Sequence, residues 1–493
     1  MSPKPKTRAP EPAPPAEIAP PRPLAAGERG RPMSPVDVAW LRMDVPANLM
    51  HIHGVLVVEG EPSLAEARRI LGERLMRIPR FRQRVALDGS RFVWTDDAAF
   101  DLSRHVTEDR LAEPGGEREL AAAIGAQLVR PFDRRHPLWE FRLLRGYRGS
   151  DTVVFGRLHH AIGDGVALMV VLLAMTDLSS SGPATVEPGG ELEAPPLNPF
   201  LELLQAGPGA ALEAARAAAE SFMPETLRLM LAPVEAFAKS HLLARGAGST
   251  LALGRLLGYG RDPATPFKGE IGVPKRVAWT EPIPLEDVRA TAKALGASIN
   301  DLLNSAMAGG LRRYLAHHGT PPAELSIRAA MPVNLRPLEE MAELGNRFGL
   351  IFLPLPVGET DPLRRLSGIR KRSATLRRSA EPLVVHSLLR FVGGSPAALQ
   401  RLVVKIFGTK ATAVFTNVPG PKHTLWFAGR AIRDIFFWVP QAARLGLGVS
   451  IFSYDGVVRM GVGTDAGLVP DPERIVDGFR AEFAALVDAA ARR

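Results

Sequence analysis

Apolar positions along this chain switch repeatedly between two spacings. His51–Val58 is rich in β-branched residues and reads as a strand. Leu64, Ala67, Ile70, Leu71 and Leu75 then recur at helical spacing, with Ser63 placed to cap the helix. Arg91–Thr95 predicts a further short strand, Glu117–Val129 a helix, and Thr152–Leu158 a buried strand ahead of the apolar run Val166–Met175. The alternation returns later. A strand at Arg276–Trp279 precedes a helix at Leu285–Leu295 that Gly296 can end in a left-handed cap. Ser298 then starts a helix reaching about His317, with Asp301 three residues on as an acidic variant of the capping box. Strands are expected over Leu325–Met331 and Arg347–Leu355, and Asp455-Gly456 predicts a tight hairpin between Val449–Ser453 and Val457–Gly463. Strands alternating with helices predict an α/β layer architecture.

The chain has 493 residues, more than one hydrophobic core usually supports. A change of character between Ser179 and Thr265, where Ser, Pro and Gly stretches flank Ala-rich and Leu-rich pieces, reads as a helical connector between two halves. The expected layout is a disordered, Pro-rich basic tail at 1–32, an N-terminal domain at 33–180, the connector at 181–270 and a C-terminal domain at 271–493. Within the connector, Pro224–Pro233 reads either as a membrane-surface helix or as a helix packed on its neighbours.

Composition narrows the chemistry. With 46% hydrophobic and 23% charged residues, the chain has the makeup of a globular protein and can build a sizeable core. A formal charge of +9 favours anionic partners: nucleic acid, an anionic membrane or a polyphosphate-bearing small molecule. No nucleic-acid motif accompanies it, so nucleic acid is not an expected partner. The absence of cysteine removes disulfides, thiolate metal sites and a cysteine nucleophile. Val166–Met175 is far shorter than the roughly 20 residues that span a bilayer, and the N-terminus carries no signal-peptide pattern, so a cytoplasmic protein is expected.

The strand Thr152–Leu158 ends at His159-His160. Side chains alternate across a strand, so His160 shares a face with Val154, Gly156 and Leu158 while His159 faces the other way, and only one imidazole can serve a given pocket. Gly163-Asp-Gly165 then supplies a sharp turn in which Asp164 can cap the next helix and Gly165 can admit close backbone approach. A rigid strand-turn-helix of this kind suits a general base, a group titrating near neutrality and held at a pocket mouth. Two other readings compete. Both histidines could be structural, or His160 and Asp164 could be metal ligands, with His51 and His53 as the best additional candidates on a shared strand face. No second dense His/Asp/Glu cluster completes a metal shell in the sequence, so no metal is expected.

His159-His-Ala-Ile-Gly-Asp-Gly165 resembles the HHxxxDG signature of the acyl-CoA-dependent acyltransferase superfamily, which includes chloramphenicol acetyltransferases and nonribosomal peptide condensation domains. Ser34-Pro-Val-Asp37, Arg135-His-Pro-Leu-Trp139, Ser298-Ile-Asn-Asp301, Met331-Pro-Val-Asn-Leu-Arg336, Gly345-Asn-Arg347 and Thr416-Asn-Val-Pro-Gly-Pro421, in that order, resemble the bacterial wax ester synthase/diacylglycerol acyltransferase family from about Ser34 to the C-terminus.

That resemblance implies two similar chloramphenicol-acetyltransferase-like domains, an α+β sandwich arrangement with a tunnel between them. It implies transfer of a fatty acyl group from acyl-CoA, as co-substrate and with no other cofactor, to a diacylglycerol or long-chain alcohol. His160 would be the general base, with His159, Asp164 and Asn300 as the other members of the reacting site. Asp164 is expected to shape its loop rather than touch substrate, and Asn300 and Asp301 are either helpers of the reacting centre or simple caps. Gly165, Pro137, Trp139 and Asn417 are expected as structural parts of the motifs. An apolar acceptor implies a protein peripheral to the inner membrane face or to lipid droplets. The alternatives are a condensation-type enzyme taking a carrier-bound acyl group, and a non-catalytic lipid-surface protein. The basic run Arg364, Arg365, Arg370, Lys371, Arg372, Arg377 and Arg378 reads as a site for CoA phosphates or lipid headgroups, or as a solvated helix face.

Overall fold

A computed structural model describes residues 18–180, 254–256, 258–320, 323–336, 344–377, 379–441 and 443–492. Its first half runs β1 (Arg22–Pro23), β2 (Arg31–Pro32), α1 (Pro35–Met43), β3 (His51–Val58), α2 (Leu64–Leu75), β4 (Gln83–Asp88), β5 (Arg91–Asp96), α3 (Leu102–His105), β6 (Val106–Arg110), α4 (Glu117–Leu128), β7 (Trp139–Tyr147), β8 (Asp151–His159) and α5 (Gly165–Met175). The second half runs β9 (Lys275–Trp279), β10 (Ile283–Pro284), α6 (Leu285–Ala294), α7 (Ile299–His317), β11 (Ile327–Asn334), β12 (Phe348–Leu355), α8 (Pro362–Arg377), α9 (Glu381–Gly393) and α10 (Ala397–Gly408). It closes with β13 (Ala413–Pro419), β14 (Trp426–Phe427), β15 (Arg430–Trp438), β16 (Leu447–Tyr454), β17 (Val457–Asp465) and α11 (Glu473–Ala491).

Local chemistry accounts for many of these boundaries. Ser63 and Glu66 form a reciprocal capping box at the start of α2, and the Ser298 hydroxyl accepts the Asp301 N–H at the start of α7. Asp455 and Gly456 hold the positive φ angles of 43° and 77° that a two-residue hairpin turn requires, and β16 and β17 pair antiparallel across it.

Three sheets result: a small one ordered β1-β4-β5-β2, a six-stranded one ordered β14-β15-β3-β8-β7-β6, and a mixed seven-stranded one ordered β10-β17-β16-β13-β11-β12 with β9 paired to β17. Strands and helices thus build an α+β, two-layer arrangement in each half. The six-stranded sheet is buried on both faces. One packs under α2 and α5. The other places Val55, Val57 and Phe155, with Trp438 of the same sheet, against α4 and Trp279. That double burial is why β3 and β8 read as nearly continuous apolar runs. The seven-stranded sheet, the main sheet of the second half, carries its own core with α7 and α11. There the two helices approach closely at Gly310, where a Cβ would lie 2.7 Å from the Phe479 nitrogen.

Two boundaries differ from the sequence expectation. Residues 18–32, expected within a disordered tail, are ordered: β1 pairs with β4 and β2 with β5. These are edge strands, where proline is tolerated, and Gly30 lies so close to Val93 that a Cβ there would sit 2.5 Å from a Val93 methyl. The C-terminal half is also not self-contained. β15 leaves it and pairs antiparallel with β3, covering what would otherwise be an apolar edge of the first sheet. Residues 1–17 of the expected tail and residues 181–253 of the expected connector, including Pro224–Pro233, lie outside the described residues. Among the described residues, no helix is long and apolar enough to cross a membrane.

Candidate active site

β8 delivers both histidines to the end of the first sheet, where they diverge. His159 is 1% exposed. Its Nδ1 accepts the Ala161 N–H at 3.0 Å, so Nε2 carries the proton and donates to Asp44 Oδ2 at 3.0 Å. Arg134 donates to the same carboxylate oxygen at 3.2 Å. His159 is therefore fully committed to packing and does not line the cavity described below. Its placement among the reacting groups is corrected accordingly: it holds the strand end that presents its neighbour.

His160 points the other way, into a cavity of about 820 Å³ between the two sheets. Its walls come from both halves: Ile52 and Leu158 of the first sheet, Met169 of α5, Phe348 and Phe352 of β12, and Phe452 of β16. The imidazole stacks on Trp40, with ring centroids 4.0 Å apart and an interplanar angle of 11°. Its backbone N–H donates to Met50 O at 2.8 Å.

The tautomer of His160 follows from its partner. Asn346 Nδ2 donates to Asp37 Oδ1 at 2.8 Å and to the His160 carbonyl at 2.7 Å. With the amide nitrogen assigned to those two acceptors, Asn346 Oδ1 is an acceptor, and His160 Nδ1, 3.0 Å away, must donate to it. The basic lone pair is then on Nε2, the ring nitrogen opposite the anchor.

Asp164 builds this anchor. One carboxylate oxygen caps α5 by accepting the Ala167 N–H at 3.0 Å. The other accepts from the Arg347 N–H at 2.8 Å and from Arg336 Nη2 at 3.0 Å, and Arg336 also donates to Gly345 O at 2.7 Å. The loop after the histidines is thereby fastened to the segment that bears Asn346, and Asp164 does so without a hydrogen bond to the His160 ring. Close backbone approach occurs at Gly163, which bridges Gly345 and where a Cβ would lie 2.9 Å from Ala167 Cβ. Gly165, expected to fill that role, has only Val418 at an ordinary 3.7 Å.

Asn300, Asp301 and Asn417 line the same cavity. Asn417 Nδ2 donates to the side-chain oxygen Oδ1 of Asn300, which holds the Asn300 side-chain amide in place at the N-terminus of α7. Asp301 is tied instead to Ser298 and Ser373, the role of a cap and a clamp on α8. Pro137 and Trp139 are buried in the first core away from the cavity, with Trp139 Nε1 donating to Phe81 O at 2.8 Å. The basic run on α8 does not form one patch. Arg365 is buried in an ion pair with Glu482, Arg364 meets Glu359 at 3.3 Å, and of the described members Arg377 alone lines the cavity. Arg378 lies outside the described residues. His51 approaches Asp44 and His159 closely enough for a metal, with ligand atoms within 4.8 Å of one another; His53 is not part of that group. Both nitrogens of His159 already have hydrogen-bond partners there.

Sequence reasoning missed Trp40 altogether, and it took Asp37 and Asn346 only as letters of motifs. No local pattern marks Trp40, whereas the Gly345-Asn-Arg347 triplet was a visible signal without a visible role.

Burial pushes the His160 imidazole down to about 4, against the smaller opposing pull of hydrogen bonds and of Asp164. Neighbours remote in sequence thus desolvate a ring that the strand-turn-helix pattern alone would leave near its ordinary value. A base with a lowered pKa is unprotonated, and competent, above that pKa. We expect kcat/KM to stay level as pH falls through the ordinary histidine range near 6.5 and to drop only toward about 4. A rate profile bending at the ordinary histidine value in a stably folded protein would contradict the buried, neutral state.

The profile of the wax ester synthase/diacylglycerol acyltransferase catalytic domain matches residues 33–303, and that of the WS/DGAT C-terminal domain matches residues 344–487. A putative diacylglycerol O-acyltransferase of Mycobacterium tuberculosis is 29% identical over 474 residues, covering 92% of this chain and 89% of that protein. A second, probable diacylglycerol O-acyltransferase of the same species is 28% identical over 471 residues, with 94% and 96% covered. Among solved structures, the wax ester synthase/diacylglycerol acyltransferase from Marinobacter aquaeolei VT8 superposes with a TM-score of 0.66 at 21% identity, over 93% of this chain and 99% of that one. A starter condensation domain of rhizomide synthetase, crystallised with C8-CoA, shares the fold with a TM-score of 0.56 at 13% identity, over 94% and 95%.

Proposed function

Because this chain belongs to the wax ester synthase/diacylglycerol acyltransferase family, we propose that it transfers a fatty acyl group from acyl-CoA to the hydroxyl of a diacylglycerol or long-chain alcohol, with His160 as the general base. The observation that carries this reading is a single imidazole, anchored through Nδ1 and basic at Nε2, on the wall of a largely apolar cavity bounded by both halves of the molecule.

In the proposed reaction the acceptor hydroxyl gives its proton to His160 Nε2 as its oxygen attacks the thioester carbonyl. The tetrahedral adduct collapses by breaking the carbon–sulfur bond. The imidazolium returns the proton to the CoA thiolate, so an ester and free CoA leave and the enzyme is unchanged. A thioester and a hydroxyl balance this reaction without a cofactor or an acyl-enzyme. Burial that disfavours the imidazolium makes it a strong donor to the departing thiolate. Asn300 and the first N–H groups of α7 supply dipoles for the oxygen that gains charge in the adduct. Arg289, Arg377 and Lys422 line the cavity and provide positive charge for CoA phosphates. The cavity volume of about 820 Å³ falls within the roughly 300–1,000 Å³ of small-molecule sites and suits a long apolar chain.

Labelled palmitoyl-CoA incubated with the purified protein and either hexadecanol or dipalmitoylglycerol should yield labelled wax ester or triacylglycerol. A folded protein that makes neither product would refute the proposal.

A further inference from the structure

The wall of the cavity formed by α9 and α10 has a second side. Leu388, Leu389 and Val392 of α9 and Val403, Val404 and Phe407 of α10 line the cavity. Turned away from it are Phe391 at 63% exposure, Leu399 at 37%, Leu402 at 53% and Ile406 at 44%. Leu399, Leu402 and Ile406 recur at helical spacing and so share one flank of α10. Val45 is the only other large apolar side chain so exposed among the described residues. Soluble surfaces scatter such residues singly, whereas here four gather on one pair of helices.

The exposed charge carried by these two helices has one sign. No Asp or Glu occurs between Glu381 and Asp434, while Arg390, Arg401 and Lys405 are exposed on the same two helices. The pair is also held rigidly against the reacting site. Gln400 Nε2 donates to Ala39 O at 2.7 Å and Arg42 Nη1 to Ser395 O at 2.7 Å, both fixing it on α1, the helix that carries Trp40. Gly393 lies so close to Pro35 that a Cβ there would overlap its carbonyl oxygen.

We propose that the outer face of α9 and α10 docks on an anionic lipid bilayer, with Phe391, Leu399, Leu402 and Ile406 entering the headgroup boundary and Arg390, Arg401 and Lys405 meeting lipid phosphates. Apolar side chains rimmed by basic ones are the composition of an interfacial helix. One layer of helix then separates the bilayer from the cavity, which places a source of apolar acceptor next to the cavity that His160 lines. The docking stands on the surface itself; the delivery of acceptor rests on the acyl-transfer reading.

The test uses the full chain and a triple variant, Phe391→Ser with Leu402→Ser and Ile406→Ser, positions that do not line the cavity. In flotation with phosphatidylglycerol/phosphatidylcholine vesicles, the native protein should bind and the variant should bind roughly tenfold more weakly. Binding of the native protein should also weaken as salt rises. Melting temperature and turnover of a short, soluble alcohol should match between the two, while turnover of vesicle-borne dioleoylglycerol should fall in the variant. Equal flotation of both proteins would overturn the proposal. So would a native dimer that the variant dissolves with flotation unchanged, which would assign the face to a second copy. Flotation needs no substrate, so an absence of turnover in both proteins would count against the reaction and leave the docking surface standing.

Discussion

Alanine at position 160 should leave a folded protein whose turnover falls by about 10²–10⁴-fold, the range a positioned general base contributes. The ring stands against a cavity, so its removal enlarges space that already exists rather than opening a void in close packing. Its contacts with Trp40 and Asn346 are lost, yet Asn346 retains the Asp37 carboxylate and the residue-160 carbonyl as acceptors. His159→Ala should behave differently. It strips Asp44 of one hydrogen-bond donor in a buried cluster, a loss that costs about 1–3 kcal/mol for a buried acceptor, while leaving part of the turnover. Thermal denaturation together with single-turnover rates on palmitoyl-CoA separates the two effects. Equal kinetic losses with an unchanged melting temperature in His159→Ala would sink the assignment of faces.

Asn346→Ala should lower kcat by about a hundredfold with little change in KM, because the base loses the contact that fixes both its orientation and its tautomer. The effect is positional: Asn346 acts through His160 and is not itself expected to touch substrate. A signature that general destabilisation would not produce is available in the pH profile. Asn346→Asp would set a carboxylate against Nδ1–H, favour the imidazolium and carry the acidic limb of kcat/KM upward from about 4. Measuring kcat, KM and the acidic limb for both variants checks this. An unshifted limb in a folded Asn346→Asp protein would exclude the hydrogen bond as the determinant of the base.

Much of the secondary structure was legible because its causes are local. The Ser63 and Ser298 caps, the helix ending at Gly296 and the Asp455-Gly456 turn each depend on residues within a few positions. The strand alternation that set His160 and His159 on opposite faces is local too, and it survives in the structure. The motif sets that resemble the acyltransferase family were equally visible, and they identify the family without disclosing what several of their residues contact. Gly345-Asn-Arg347 is the clearest case. Its asparagine meets His160 across 186 residues of chain, and no periodicity relates the two.

The basic run on α8 shows the opposite failure. Read as one helix face, it suggested a single anion site. The fold instead sends Arg365 into a buried pair with Glu482 and Arg377 toward the cavity and Asp301, since residues adjacent in sequence point in different directions around a helix. The lowered pKa of His160 was hidden for a related reason: Trp40 and Phe348, which flank the ring, lie far from it in sequence.

By itself the sequence determined the chain's local grammar, the α/β alternation, the family and the opposite facing of the two histidines. These follow from spacing, capping and turn chemistry among near neighbours. Only the tertiary structure decided that β15 completes the first sheet, that Asp164 and Arg336 fasten the Asn346 segment to the loop of His160, and that helices α9 and α10 separate the cavity from an apolar, basic surface. Each of these joins groups that are distant along the chain, and such contacts are chosen by burial and by pairing of polar groups across the whole fold rather than by any pattern that neighbouring residues can carry.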